Sequence, residues 1–239
     1  GRNGDHIGEL SFYQSDASTK IGEIEGHSTH LAFVSRAGYI QVATGGTSER
    51  LRITDNGRIY IGTVNSGTYD GIQPQIQLEG TNYNTSSMSL FCNSNTANNA
   101  PQLQLGKSRS GSDGGSTALQ DGDRVGSVYG IAADGSDRNS SVGRIEFYVD
   151  GSVSTNQTPG SIRFGTTPST GSTPSERLRI TSGGQVRIGN VNNLALWGQT
   201  NRLQVAGTDW NTSGLTIACM GTAGSANLVM GNSRASTPG

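Results

Sequence analysis

The sequence has little from which a conventional core could be built. Only 31% of its 239 residues are hydrophobic, and Leu, Ile, Val and Phe together make up roughly a fifth of the chain, close to the composition at which disorder is the default. Cysteine occurs twice, at Cys92 and Cys219, too few and too far apart for a disulfide framework. Both are expected to be buried small hydrophobes, because SMSLFC places Met88, Leu90 and Cys92 on one side of a strand and LTIAC does the same for Leu215, Ile217 and Cys219. The three histidines, His6, His27 and His30, come with no Ser/His/Asp or Cys/His order and no strand-to-helix elbow, so catalysis is not expected. No apolar run approaches the length that crosses a bilayer, and the start does not resemble a signal peptide. Neither charge sign dominates: 17 basic and 18 acidic residues, with no clustered basic run, give no footprint for nucleic acid or an anionic membrane. There is no initiating Met, and Gly1 opens on GRNGDHIG near a module boundary, so the sequence is expected to be an excerpt of a longer protein.

Glycine is abundant, with 36 residues, about twice the usual share. Turns are therefore frequent. The formal net charge of −1 supplies no self-repulsion to keep the chain open, and its apolar residues are patterned rather than scattered.

The chain repeats itself. SERLRITDNGRIYIGT begins at Ser48 and SERLRITSGGQVRIGN at Ser175. GTNYNTS from Gly80 and GTDWNTS from Gly207 keep the same offset, as do Cys92 and Cys219. LQLGKSRS from Leu103 recurs loosely as LVMGNSRA from Leu228, GDHIG from Gly4 as GDRVG from Gly122, and IGEIE from Ile21 as VGRIE from Val142. The offset is smaller for GDHIG and IGEIE than for SERLRIT, and this drift places extra residues in the second copy, somewhere between Asp134 and Ser175; those extra residues are expected to be loop. The order is module X (1–64), Y (65–121), X′ (122–191) and Y′ (192–239).

Within the modules apolar residues alternate as in half-buried strands: Leu51/Ile53, Ile59/Ile61, Ile76/Leu78, Leu103/Leu105, Ile145/Phe147/Val149, Ile162/Phe164, Leu178/Ile180, Val186/Ile188 and Leu203/Val205. No stretch shows helical spacing with caps. SERLRITDNGRIYIG reads as one hairpin with Asn56-Gly57 at its turn, and SGG takes that place in the second copy. Each strand offers two or three inward side chains, worth roughly 1.5 to 3 kcal/mol apiece against roughly 1 to 2 kcal/mol for every residue ordered. One chain alone falls short, so the missing burial has to come from stacked modules or from identical neighbouring chains. The fold class expected is all-β: a tandem repeat of short-strand modules in an elongated assembly.

The run SERLRIT, a Gly turn and an IG-ended strand, followed in order by LGKSRSGS, GDRVGSVYG, EFYVDGS and TPGSIRFGTTPSTGSTPSERLRI, resembles the ERLRIT-type repeat of tail-fibre proteins from marine and cyanobacterial tailed phages. The resemblance covers nearly the whole chain. It implies a parallel, in-register homotrimeric fibre on the virion, outside the cell, in which these modules are spacers. Its partners would be identical chains and other virion tail proteins, with no cofactor. Such fibres often end in a self-cleaving chaperone domain, which this sequence does not display. The first X module departs from the pattern in lacking the VDG and TPG segments, so its loops should differ.

On this reading Leu51, Ile53, Leu178 and Ile180 face inward between chains. Arg50, Arg52, Arg177 and Arg179 have the opposite parity, and with Glu25 and Glu146 they form either a ladder of ion pairs between chains or a solvated sheet face. His27 and His30 have two-ligand spacing for a metal around a threefold axis; the plainer reading is a polar loop. Asp121, Asp123, Asp134 and Asp137 lie among glycines but lack the alternation of an EF-hand loop. Tyr83 and Trp210 occupy matching repeat positions, which suits packing. Trp197 has no counterpart and is the candidate contact for a host-surface glycan. The alternative function is accordingly a carbohydrate-binding adhesin whose loops contact glycans directly.

Overall fold

The computed structural model describes residues 6–36, 38–46, 48–62, 67–189, 195–196, 199–200 and 203–207. Over these residues the protein is all-β, with several sheets of short strands and no helix. It divides into two compact units, one of residues 1–104 with 131–140, the other of residues 105–130 with 141–239.

The first unit holds two sheets. β1 (His6–Tyr13), β2 (Lys20–His27) and β3 (Leu31–Ser35) form an antiparallel meander. β4 (Ile40–Ala43), β5 (Glu49–Ile53), β6 (Ile59–Ile61) and β7 (Ile76–Leu78) form a second sheet, in which β4, β5 and β6 are antiparallel and β7 lies parallel to β6. The second unit is built on one six-stranded sheet, in order β15 (Leu203–Ala206), β12 (Val186–Gly189), β11 (Ser175–Ile180), β10 (Gly160–Thr166), β9 (Ser140–Val149) and β8 (Arg124–Ala132). A separate short pair comprises β13 (Ala195–Leu196) and β14 (Gln199–Thr200).

Register repeats along with sequence. The pairs Leu51↔Ile61, Arg52↔Tyr60 and Ile53↔Ile59 reappear at the equivalent positions of the second copy as Leu178↔Ile188, Arg179↔Arg187 and Ile180↔Val186. The parallel pairs Ile59↔Ile76 and Ile61↔Leu78 reappear as Val186↔Leu203 and Ile188↔Val205. The hairpin turn has the same bonds in both copies. Gly57 N–H donates to Thr54 O at 3.0 Å and Thr54 N–H to Arg58 O at 2.9 Å; Gly184 N–H donates to Thr181 O at 2.9 Å and Thr181 N–H to Gln185 O at 3.0 Å. Gly57 and Gly184 have φ of 79° and 74°, while Asn56 stays at negative φ. The connection is thus a three-residue loop closed by a left-handed glycine rather than a two-residue primed turn.

The copies diverge between the second strand and the ERLRI strand. In the first unit β2 pairs with β3 and β5 with β4, giving two sheets. In the second, β10 pairs with β9 on one edge and β11 on the other, so one strand takes both places and the sheet is continuous. The VDG and TPG segments, absent from the first copy, flank the loop that makes this possible. Asp150 N–H donates to Pro159 O, and Ser154 and Gln157 bridge within it.

Three expectations are corrected. Residues 88–92 and 103–105 join no sheet, although their apolar residues alternate. Cys92 is exposed rather than buried. Tyr83 is 80% exposed and packs no core. The counterparts Trp210, Leu215, Ile217 and Cys219 lie outside the described residues.

Candidate functional site

The sheets bury the face that their composition would leave wet. Pairing puts Ile40, Val42, Leu51, Ile53, Ile59, Ile61, Ile76 and Leu78 on one side of the β4–β7 sheet and Gln41, Arg52, Tyr60 and Gln77 on the other. Tyr60 and Gln77 are buried, yet Val42, Ile53, Ile61, Ile76 and Leu78 are exposed. The six-stranded sheet behaves alike. Glu146 and Ser161 are buried on its polar side, while Ile145, Phe147, Ile162, Phe164, Ile180, Ile188 and Leu203 are exposed on the apolar side. Among the described residues the buried apolar side chains are Tyr60, Val149, Pro174 and Ala206. Large exposed apolar faces are characteristic of interaction surfaces.

Leu51 and Ile53 lie near the centre of one such face and Leu178 and Ile180 near the centre of the other. Leu51 and Leu178 are half-buried by their neighbours, and Ile53 and Ile180 are exposed.

The polar faces are closed by charge pairs within the chain. Arg52 Nε and a terminal nitrogen donate to the two carboxylate oxygens of Glu49 at 2.6 and 2.7 Å, and its guanidinium stacks 3.8 Å from the centre of the Tyr39 ring. Arg179 and Glu176 reproduce the fork at 2.7 and 2.8 Å. Residues three apart in a strand point to opposite faces, so this pairing needs an irregularity. It is supplied by a β-bulge: Val42↔Leu51 is followed by Ala43↔Glu49, skipping Arg50, and Phe164↔Leu178 by Gly165↔Glu176, skipping Arg177. The bulged Arg50 and Arg177 donate to hydroxyls instead, Thr44 Oγ1 at 3.1 Å and Thr166 Oγ1 at 3.2 Å. The Arg52 guanidinium, chiefly through these hydrogen bonds, holds the Glu49 carboxyl below its ordinary range. ERLR therefore encodes a bulge with a bidentate ion pair, which parity alone does not reveal.

The remaining ladder candidates also have partners within the chain. Glu146 meets Arg124 at 3.0 Å and Arg144 at 2.9 Å. Glu25 meets His27 Nε2 at 3.1 Å and Arg36 at 3.7 Å. The covered Glu23, missed in the sequence, pairs with Lys20 and Arg36. Lys20, chiefly by hydrogen bonding, holds Glu23 down to about 2 from an ordinary 4.5. A carboxylate with a depressed folded pKa adds stability above its unfolded pKa and loses it as pH falls through the folded one. Thermal unfolding followed by circular dichroism should therefore show stability falling between about pH 4.5 and 2. Glu23→Gln should lower the melting temperature at pH 7 and flatten that acid limb; an unchanged limb would remove Glu23 from its cause.

His27 and His30 stack ring on ring, 4.4 Å apart and 8° from parallel, and His27 N–H donates to His30 O at 2.8 Å. Among the described residues no group of three or more His, Cys, Asp or Glu could hold a metal ion. The aspartates serve turns and ion pairs. Asp134 accepts the N–H groups of Ser136 and Asp137, Asp121 that of Gly151, and Asp123 binds Arg109 bidentately at 2.6 and 3.0 Å. Trp197 lies outside the described residues.

Neither a family model nor a curated protein sequence matches the chain. Among solved structures, it is similar to the carboxy-terminal domain of the bacteriophage T5 L-shaped tail fibre, with a TM-score of 0.51 and 16% identity, covering 95% of this chain and 90% of that one. It is also similar to that domain with its intramolecular chaperone domain, with a TM-score of 0.50 and 16% identity, covering 98% of this chain and 65% of that one. At this identity the likeness is one of fold.

Proposed function

We propose that the chain is a structural, non-enzymatic segment of a bacteriophage tail fibre, in which three identical chains run parallel and in register and hold a host-recognition tip away from the virion. The observation that supports this reading is the inverted burial: the β4–β7 sheet and the six-stranded sheet cover their charged faces within the chain and leave most of their apolar faces exposed. Parallel chains in register bring equal faces to equal height, so each module completes its neighbours' cores. The fold likeness to a tail-fibre domain and the repeat of strand register between the two copies support a fibre. The number three rests on the resemblance to tail-fibre repeats.

Sedimentation of the chain tests it. A trimer that dissociates only on unfolding is expected, and a compact β-rich monomer at micromolar concentration would refute the reading. A glycan array tests the spacer role against the adhesin. No binding is expected, and micromolar binding that depends on Trp197 or on the loops between 150 and 175 would overturn it.

A further inference from the structure

Between β7 and β8 lies a stretch that joins no sheet, its end held to the chain where Lys107 pairs with Asp123 at 3.2 Å. Every residue from 80 to 107 is exposed, and residues 87–94 and 100–108 belong to no helix, turn or ladder. Among the described residues neither stretch makes a backbone–backbone hydrogen bond; the turn between them is closed by Asn99 N–H donating to Thr96 O at 3.1 Å, but the stretches do not pair with each other.

Their composition is that of strands meant to be covered. No Asp, Glu, Lys or Arg occurs from Gly80 to Gly106, where an exposed strand would ordinarily carry protective charge. Met88, Leu90 and Cys92 alternate in the first stretch and Leu103 and Leu105 in the second. Met88 is 72% and Phe91 82% exposed. Such a run, left in water, would be an aggregation hazard.

We propose that residues 87–94 and 100–108 are strands donated to neighbouring copies of this chain, pairing by their backbones and laying Met88, Leu90 and Leu103 on a neighbour's apolar face. This rests on the homo-oligomer reading and names the element that interlocks it. The occupant follows from the repeat. The segment recurs in the second copy as GTDWNTS, LTIAC and, at a slightly shorter offset, LVMGNSRA, so whatever receives it must offer a matching surface twice at the spacing of the repeat. Another copy in register does so by construction. Its apolar faces are exposed in the single chain.

Hydrogen–deuterium exchange on the assembled protein, with sedimentation of the same sample, is the test. An oligomer in which the amides of 87–94 and 100–108 exchange at least about a hundredfold more slowly than in an unstructured peptide is the expected result. An oligomer in which they exchange at peptide rates overturns strand donation and leaves the homo-oligomer standing. A monomer, whatever its exchange, overturns both.

Discussion

Leu178→Asp is expected to abolish assembly, leaving a chain that sediments as an unfolded or aggregating species with no trimer at any accessible concentration. Leu178 sits between Phe164 on β10 and Ile188 on β12, in the middle of an apolar face with Ile162, Ile180 and Val186 around it. Within one chain an aspartate there would still reach water, because neighbouring Ile180 and Ile188 are exposed. Its cost arises only when that face is covered. An uncompensated buried carboxylate costs several kcal/mol, on the order of 3 to 5, and the threefold symmetry of the proposed trimer would place it three times in one assembly. Arg179→Ala, one residue along, works on the other face. It removes a partly buried intrachain fork to Glu176 and should lower stability by up to about 1 kcal/mol without changing oligomeric state. The contrast between adjacent positions is the informative result. A Leu178→Asp chain that assembles and melts like the wild type would mean that the face stays in water, and the proposed association would lose its basis.

The sequence was a good guide wherever structure is local. Period-two alternation picked out residues of β5, β6, β7, β9, β10, β11, β12 and β15, and the TDNGR and TSGGQ turns lie where glycine and asparagine predicted them. It misled where pairing is decided over a distance. SMSLFC and LQLG have the same alternation as LRI and RIYI but no partner strand among the described residues, and nothing in a periodicity distinguishes a strand with a neighbour from one without. Two devices were hidden for a related reason. The bulge at Arg50 and Arg177 brings Glu and Arg three apart onto one face, which parity counting forbids. The double duty of β10 depends on a loop that lets one strand meet both β9 and β11. The covered charged face was legible only as half a fact: opposite parity identified Arg52 and Arg179, while the closed forks that hold them depend on the bulge, which parity does not show.

Gly62→Ala should cost at least twice as much stability as Gly57→Ala, although both place a side chain at a left-handed φ, 77° and 79°. Ordinary residues pay roughly 1 to 2 kcal/mol for that conformation, and at Gly57 this is the whole effect, since nothing lies within 4 Å of the added Cβ. At Gly62 the Cβ would fall well inside contact with the carbonyl oxygen of Glu79, and the Glu79 carbonyl cannot swing away freely because its own residue's N–H donates to Ile61 O at 3.1 Å. Gly62 N–H is also tied, to Arg50 O at 3.1 Å. The glycine that ends the IG strand is thus what lets parallel β7 close on β6, and Gly189 with Ala206 repeats the arrangement in the second copy. Relief of the clash requires moving β7 off the sheet, which takes Ile76 and Leu78 out of the apolar face that the proposed association uses. Melting temperatures of the two variants, with exchange rates of the amides of 76–78, decide the matter. Equal losses of stability with protected β7 amides would show that φ alone, and not the close approach of the parallel strand, makes glycine necessary at this position.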